Sequence, residues 1–438
     1  MCNIKVFIIA IGLTGIIAQA QEAVPSLTVE NAIEEGLGRS PEIARAKSAQ
    51  SEMAWKHFEA LGAGFLPKVE ANAHHYFDEK YTITNINFGT MLSFPGFYPT
   101  DVVAVDAMIP IFDGLSSTRN LQAASLNEDA ASAELDHAQF QLKTEIRLAF
   151  YKALAAAQLQ EVAEQDVKTL EDHLKQIEAR KHGGVATNYD VLRVQVQLNE
   201  AKADAIDAED ALATARRKLT ELLGLENDSR PLLGSLPVPI ADRVKNLKLA
   251  ETPSDRSDIR ALNLRADAAH RAKQAKAAWY VPSISVGGEY MWFNAQTFDQ
   301  VVTDSGNYWN AYNVGVMLKW NLFDGGVSVA QDREAAERMT QAQKAADSAK
   351  LKVPYDFDYW KRRYLSNTDH YISKKFDITR SEESVRLAKE EERAGTRTST
   401  DTIDAELDLF RAKAGVVNAL VNAAEAEIRL EQVLGREI

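Results

Sequence analysis

Between residues 312 and 323 apolar and polar side chains alternate. Val314, Val316, Leu318, Trp320 and Leu322 fall on one side of an extended chain, and Asn313, Gly315, Met317, Lys319 and Asn321 on the other. Residues two apart share one face of a strand, so this strand has a greasy face and a mostly polar one. Residues 283–293 alternate likewise, with Ile284, Val286, Gly288, Tyr290 and Trp292 against Ser285, Gly287, Glu289 and Met291. The segments 69–77 and 102–112 repeat the pattern more weakly. Alternating segments of about ten residues mark outer-membrane barrel strands, although a half-buried sheet in a soluble domain alternates in the same way. Spanning barrels begin at about eight strands, and lipid does not tolerate an open sheet edge. Four strands that span must therefore share one barrel with the strands of other chains.

The rest of the chain reads as helix. Residues 115–181 contain no proline and no glycine, enough for a rod of roughly 100 Å at 1.5 Å per residue. Near its end Val167, Leu170, Leu174 and Ile177 keep the spacing of a coiled-coil seam. The next helix carries one seam, from Val191, Val194 and Leu198 through Ala201 to Leu219 and Leu222. The last helix carries two. One runs through Ala405, Leu409, Ala412, Val416, Ala419, Ala423, Ala426, Leu430 and Val433. The other follows Ile403, Leu407, Phe410, Ala414, Val417, Val421, Ala424 and Ile428. Two seams suit a helix with a neighbour on each side, as in a wall of helices curved into a tube. An ordinary bundle accommodates them as well. Shorter helices are expected at about 41–64 and 258–278, and Pro354 should kink the second long helix.

This order of elements occurs twice. Ile109-Pro-Ile-Phe-Asp-Gly114 returns as Trp320-Asn-Leu-Phe-Asp-Gly325, a shift of 211 residues. The same shift carries Gly184-x-x-Thr187-x-x-Asp190 onto Gly395-x-x-Thr398-x-x-Asp401, and Leu222-Leu-Gly224 onto Val433-Leu-Gly435. So long a period is a duplicated half-domain, not a solenoid repeat. The division is a leader at 1–20, a first repeat at 21–224, a connector at 225–256 and a second repeat at 257–438. The connector holds Pro231, Pro237, Pro239 and Pro253, with one short helix expected around 243–249.

Composition narrows the setting. Lys5, an apolar run from Val6 to Ile17 and Ala18-Gln19-Ala20 form a secretory leader with cleavage near Gln21. The single cysteine, Cys2, lies within it, so the mature chain is expected to hold no disulfide and no cysteine metal ligand. A net charge of −13 argues against a nucleic-acid partner. No stretch is apolar for long enough to form a transmembrane helix.

These residues together resemble the TolC-type outer-membrane efflux proteins (outer membrane factors). The likeness runs from Val29-Glu-Asn-Ala-Ile33 and Ser40-Pro-Glu-Ile43 through both Phe-Asp-Gly pairs and both Gly-x-x-Thr-x-x-Asp turns to the Leu-Gly closing each half. Gly395-Thr-Arg-Thr398 with Asp401 and Asp404 is its most specific piece. The resemblance implies a mainly α protein with a small β part. As a homotrimer it would form a 12-stranded transmembrane barrel continuous with a long periplasmic α-helical barrel. It implies an exit duct seated in outer-membrane lipid and served by a periplasmic adaptor protein and an inner-membrane pump, for tripartite efflux or type I protein secretion.

The resemblance also assigns residues. Gly184, Val185, Gly395 and Thr396 would lie on the periplasmic tips that meet the adaptor, although glycine and threonine there also suit plain helix-turn-helix chemistry. Asp401 and Asp404 match an acidic entrance constriction that would favour cations. They also suit the N-terminus of a helix. Arg397 and Asp190 match a pair that ties neighbouring helices shut. Where the family has an assisting tyrosine this chain has Glu392, so the lock is weaker or differently built. No cofactor and no metal is expected. His74 and His75 point to opposite faces of a strand, and neither a P-loop nor a nucleophile elbow occurs. A different class, a soluble periplasmic coiled-coil scaffold, would lack membrane strands.

Overall fold

The computed structural model describes residues 26–75, 77, 82–87, 91–96, 101–249, 256–294 and 308–438. The expected leader at 1–20 and its cleavage site lie outside them. Helices α1 (Val29–Arg39) and α2 (Pro41–Phe65) open the first half. Ser40 ends one and caps the other, with Pro41 in the first turn where its missing N–H costs nothing. Strand β1 (Lys68–His75) follows, then a hairpin of β2 (Thr82–Asn87) and β3 (Met91–Gly96), then β4 (Asp101–Phe112). The long helix α3 (Ser116–His182) and its partner α4 (Asn188–Leu222) complete the half.

A short helix α5 (Ala241–Lys245) lies in the connector. The second half runs α6 (Ser257–Lys276), β5 (Ser283–Asn294), β6 (Tyr308–Lys319), α7 (Val327–Arg393) and α8 (Ser399–Leu434). The long helices α3 and α7 have 67 residues each, about 100 Å of rod. Pro354 sits inside α7, which continues past it although its ring removes one backbone donor.

The Phe-Asp-Gly repeat is a strand-to-helix device. Asp113 accepts hydrogen bonds from the Ser117 amide (2.7 Å) and hydroxyl (2.5 Å), and Asp324 accepts from the Ser328 amide (2.9 Å) and hydroxyl (2.5 Å). Each carboxylate thereby satisfies an orphan donor at the start of a 67-residue helix. Two successive residues at each corner take a left-handed backbone, Gly325 and Gly326 in one half, Gly114 and Leu115 in the other. Leu115 therefore carries the conformation that glycine supplies in the duplicate.

The four strands β1-β4-β5-β6 form one antiparallel sheet in which β4 of the first half pairs with β5 of the second. Among the described residues strands β1 and β6 are left as open edges. One row of the sheet, at the same height on all four strands, reads Glu70, Asp106, Glu289 and Asn313. Asn72 bonds Asp106 at 2.8 Å and Asn313 bonds Glu289 at 3.0 Å, which relieves part of the cross-strand repulsion. On the opposite face Tyr312, Val314, Val316 and Leu318 of β6 are exposed in a row. Exposed aromatic residues mark both ends: Trp279, Tyr280 and Trp320 at one, Trp292 and Tyr308 at the other.

Three expectations need correction. Strand β6 begins at Tyr308, four residues before the expected start, and ends at Lys319, because Trp320 turns away to donate to the Tyr280 carbonyl at 3.1 Å. Strand β1 ends at His75 rather than 77. The β2–β3 hairpin was not expected, since its spacing is irregular and Pro95 interrupts one arm.

The helices pack as two coiled coils, α3 with α4 and α7 with α8, joined where α8 meets α3 and where α6 packs on both α3 and α7. The two seams of α8 divide between its neighbours. Ala405 packs with Val385 and Ala388 of α7, and Leu430 and Val433 with Val353, Phe357 and Tyr364. From the other seam Ile403 joins Leu170, Ile177 and Val194 of the first coiled coil, and Val417 joins the core around Ile146 and Phe150. The described run of the connector, residues 225–249, packs on the helices. Leu27 and Leu232 form a parallel bridge, and Val244 of α5 is buried with Tyr364. The short helix lies slightly before its expected place.

Candidate functional site: the helical tips and the junction above them

Both long hairpins turn in the same way. After His182, Gly184 takes a left-handed φ of 74°, and the Val185 amide donates to the Arg180 carbonyl at 2.9 Å. Thr187 then opens α4. Its hydroxyl accepts from the Asp190 amide at 3.2 Å, while the Asp190 carboxylate accepts from the Thr187 amide at 2.8 Å. In the second half Gly395 has φ 77°, and Thr398 and Asp401 form the same reciprocal box at 3.4 and 3.1 Å. An added Cβ at Gly184 or Gly395 would meet nothing within 4 Å, so backbone conformation alone selects glycine there. Val185 is 81% exposed, and Gly184, Gly395 and Thr396 are exposed beside it.

Hydrogen bonds from Thr187 hold the Asp190 carboxyl below its ordinary value. Those from Thr398, with nearby Arg397 and Arg193, do the same for Asp401. Both acids are ionised at neutral pH. Within the chain Asp190 and Arg397 are engaged separately: Asp190 with Thr187, and Arg397 with Glu391 at 2.6 Å. Asp404 faces Arg193 of α4 at 3.6 Å.

Glu392 is paired with Arg180 of α3, and His173 of α3 meets the Ser399 hydroxyl at 2.8 Å. Burial keeps the His173 ring below its ordinary pKa, so it is neutral at neutral pH. Three contacts, Arg180–Glu392, Arg193–Asp404 and His173–Ser399, thus tie one coiled coil to the other. Arg180, Arg193 and His173 were absent from the sequence reading. Each is a lone polar residue on a long helix, and only the packing of α3 and α4 against α7 and α8 supplies its partner.

Further along the same junction Lys389 of α7 holds one oxygen of Glu406 at 2.7 Å. Glu406 is 7% exposed, and its second oxygen meets no donor among the described residues. Asp166 of α3 lies beside it, with its carboxyl pushed up to about 6 by burial and by the charges of Glu406 and Asp204. No helix among the described residues is long and apolar enough to cross a membrane.

A mainly helical chain with duplicated hairpins and a four-stranded sheet that exposes an apolar row is the architecture of an outer-membrane channel protein. The family model "Outer membrane efflux protein" matches residues 32–225 and 249–436, and the chain belongs to that family. It is an outer-membrane protein with a periplasmic helical extension. It is similar to the outer membrane protein TolC of Vibrio cholerae, 23% identical over 326 residues, 73% of each chain. It is also similar to the alkaline protease secretion protein AprF of Pseudomonas aeruginosa, 23% identical over 415 residues, 88% of this chain and 80% of that one. The outer membrane channel CmeC of Campylobacter jejuni shares the fold, with a TM-score of 0.76 and 13% identity over 98% of this chain and 94% of that one.

Proposed function

We propose that three copies of this chain form a passive exit duct of a tripartite efflux pump. An inner-membrane transporter would supply the energy and a periplasmic adaptor would dock at the tips. One observation carries this reading: a four-stranded antiparallel sheet with two open edges and an apolar outer face, joined to helical rods of about 100 Å. Three such sheets give twelve strands, enough to close a barrel without an exposed edge. The row from Glu70 to Asn313 then faces the lumen, and the aromatic ends sit at the two membrane surfaces.

At the periplasmic end Asp401 and Asp404 form the entrance constriction, and Gly184, Val185, Gly395 and Thr396 present the adaptor surface. Asp190 and Arg397 act between neighbouring chains, with Arg397 exposed at the tip and Asp190 half-buried. Glu392 takes its part in the lock through Arg180. The protein performs no chemistry of its own.

Reconstitution into planar bilayers tests the duct. Purified trimers should give discrete conductance steps, and a monomeric, salt-extractable protein without channel activity would overturn the reading in favour of a periplasmic scaffold. Type I secretion is the second reading, favoured by the likeness to a protein named for alkaline protease secretion. Photo-cross-linking from positions 185 and 396 in cells distinguishes the two by the adaptor captured.

A further inference from the structure

Where α8 meets the first coiled coil, two cavities flank the contact and share Asp166, Glu406 and Phe410. The smaller, about 160 Å³, lies between α3, α4 and α8, and the larger, about 570 Å³, between α3, α7 and α8. Glu406 lines both, is 7% exposed, and keeps one oxygen without a donor among the described residues. An ionised carboxylate is acceptor-only, so a buried free oxygen calls for a donor from outside the side chains present. The Oε1 of Gln197, which lines the small cavity, is likewise buried without a donor.

The surrounding charge decides the sign of that donor. From α3 come Glu161 and Asp166, and from α4 Glu200 and Asp204. Lys389 faces the site from α7, and Glu406, Arg411 and Lys413 from α8. Five carboxylates stand against three cations, one of them already committed to Glu406. Around the larger cavity Val162, Leu409, Phe410 and Val417 supply an apolar wall.

We infer that this junction is a binding site for a primary ammonium group carried on a small apolar or aromatic body. The ammonium N–H groups would go to Glu406 and Gln197 beside Asp166, and the apolar body would lie along Phe410 and Leu409. An ammonium donates three hydrogen bonds, whereas a quaternary nitrogen donates none and leaves both acceptors bare. The occupant would touch α3, α4 and α8 at once and so hold the two coiled coils together. The site depends on Asp166 being ionised. Protonation as pH falls below about 6 removes one of its carboxylates, so affinity is full above that value and declines below it.

Binding is read on the purified full chain in detergent, independently of conduction. Calorimetric titration with 2-phenylethylammonium at pH 8 should show one site per chain. The site should be at least tenfold weaker for 2-phenylethyl(trimethyl)ammonium and at least tenfold weaker at pH 5. Glu406→Gln and Asp166→Asn should each weaken it tenfold or more, with helicity and oligomeric state checked for both. The Asp401→Asn/Asp404→Asn double variant should retain it. No binding of the primary amine, equal binding of the quaternary one, or loss only in the Asp401/Asp404 variant would each overturn the assignment.

Discussion

At the residue scale the tips separate helix chemistry from function. Thr187–Asp190 and Thr398–Asp401 are reciprocal capping boxes, and such caps contribute about 1 kcal/mol each whether or not anything docks there. Residues not needed for capping are better candidates for gating. Arg193 neutralises Asp404, and Arg180 holds Glu392. A partly exposed ion pair contributes about 0–1 kcal/mol, so in the proposed trimer three copies of two pairs would make a latch that still opens. Single-channel recording should therefore show higher conductance for Arg397→Ser, and a further rise when Arg193→Ala is added. Conductance unchanged in both would remove these arginines from the gate. The sequence carried the capping motif plainly, because its partners are three residues apart. It could not carry Arg193–Asp404, whose partners are joined only by the packing of α4 near α8.

At the scale of elements the hydrophobic pattern was most informative where one face was strictly required. The two seams of α8 went to two different neighbours, α7 and α3, as a helix in a curved wall demands. The single seam of α4 packs on α3. Strand β6 shows the limit of such reading. Alternation continues through Trp320 and Leu322, yet the ladder ends at Lys319 because pairing with β5 runs out at Ser283. The apolar face of that strand sets a prediction. Val316→Arg on the exposed row of β6 should destabilise the inserted barrel by about 2–4 kcal/mol and reduce folded trimer in the outer membrane. Lys319→Arg, on the other face at the strand's end, should leave the yield unchanged. Heat-resistant trimer on electrophoresis is the readout, and equal yields would place Val316 away from lipid.

At the scale of the whole molecule the duplication becomes a rule of assembly. Each half contributes two strands to a sheet that joins through β4 and β5, and both outer edges stay open. In the proposed duct, closure comes from other copies. In the proposed trimer the lumen would have an acidic row in the barrel at Glu70, Asp106 and Glu289, and acids again at the entrance through Asp401 and Asp404. Such rings favour cations. Reversal potentials in asymmetric KCl should show cation preference, reduced in Asp401→Asn/Asp404→Asn and reduced further when Glu289→Gln is added. A wild-type duct without cation preference would mean that the intrachain partners Arg193 and Lys68 already balance these acids.

By itself the sequence determined what depends on neighbours along the chain: helix lengths, capped turns, the faces of strands and the number of halves. These follow from local periodicity and from motifs whose partners lie within a few residues. Only the tertiary structure decided which polar residues meet across the two coiled coils. It also decided where β6 stops, and that Glu406 is buried with one oxygen free. Those outcomes depend on residues from about 40 to more than two hundred positions apart, and the chain's periodicity is silent about which of two equally polar faces will be turned inward.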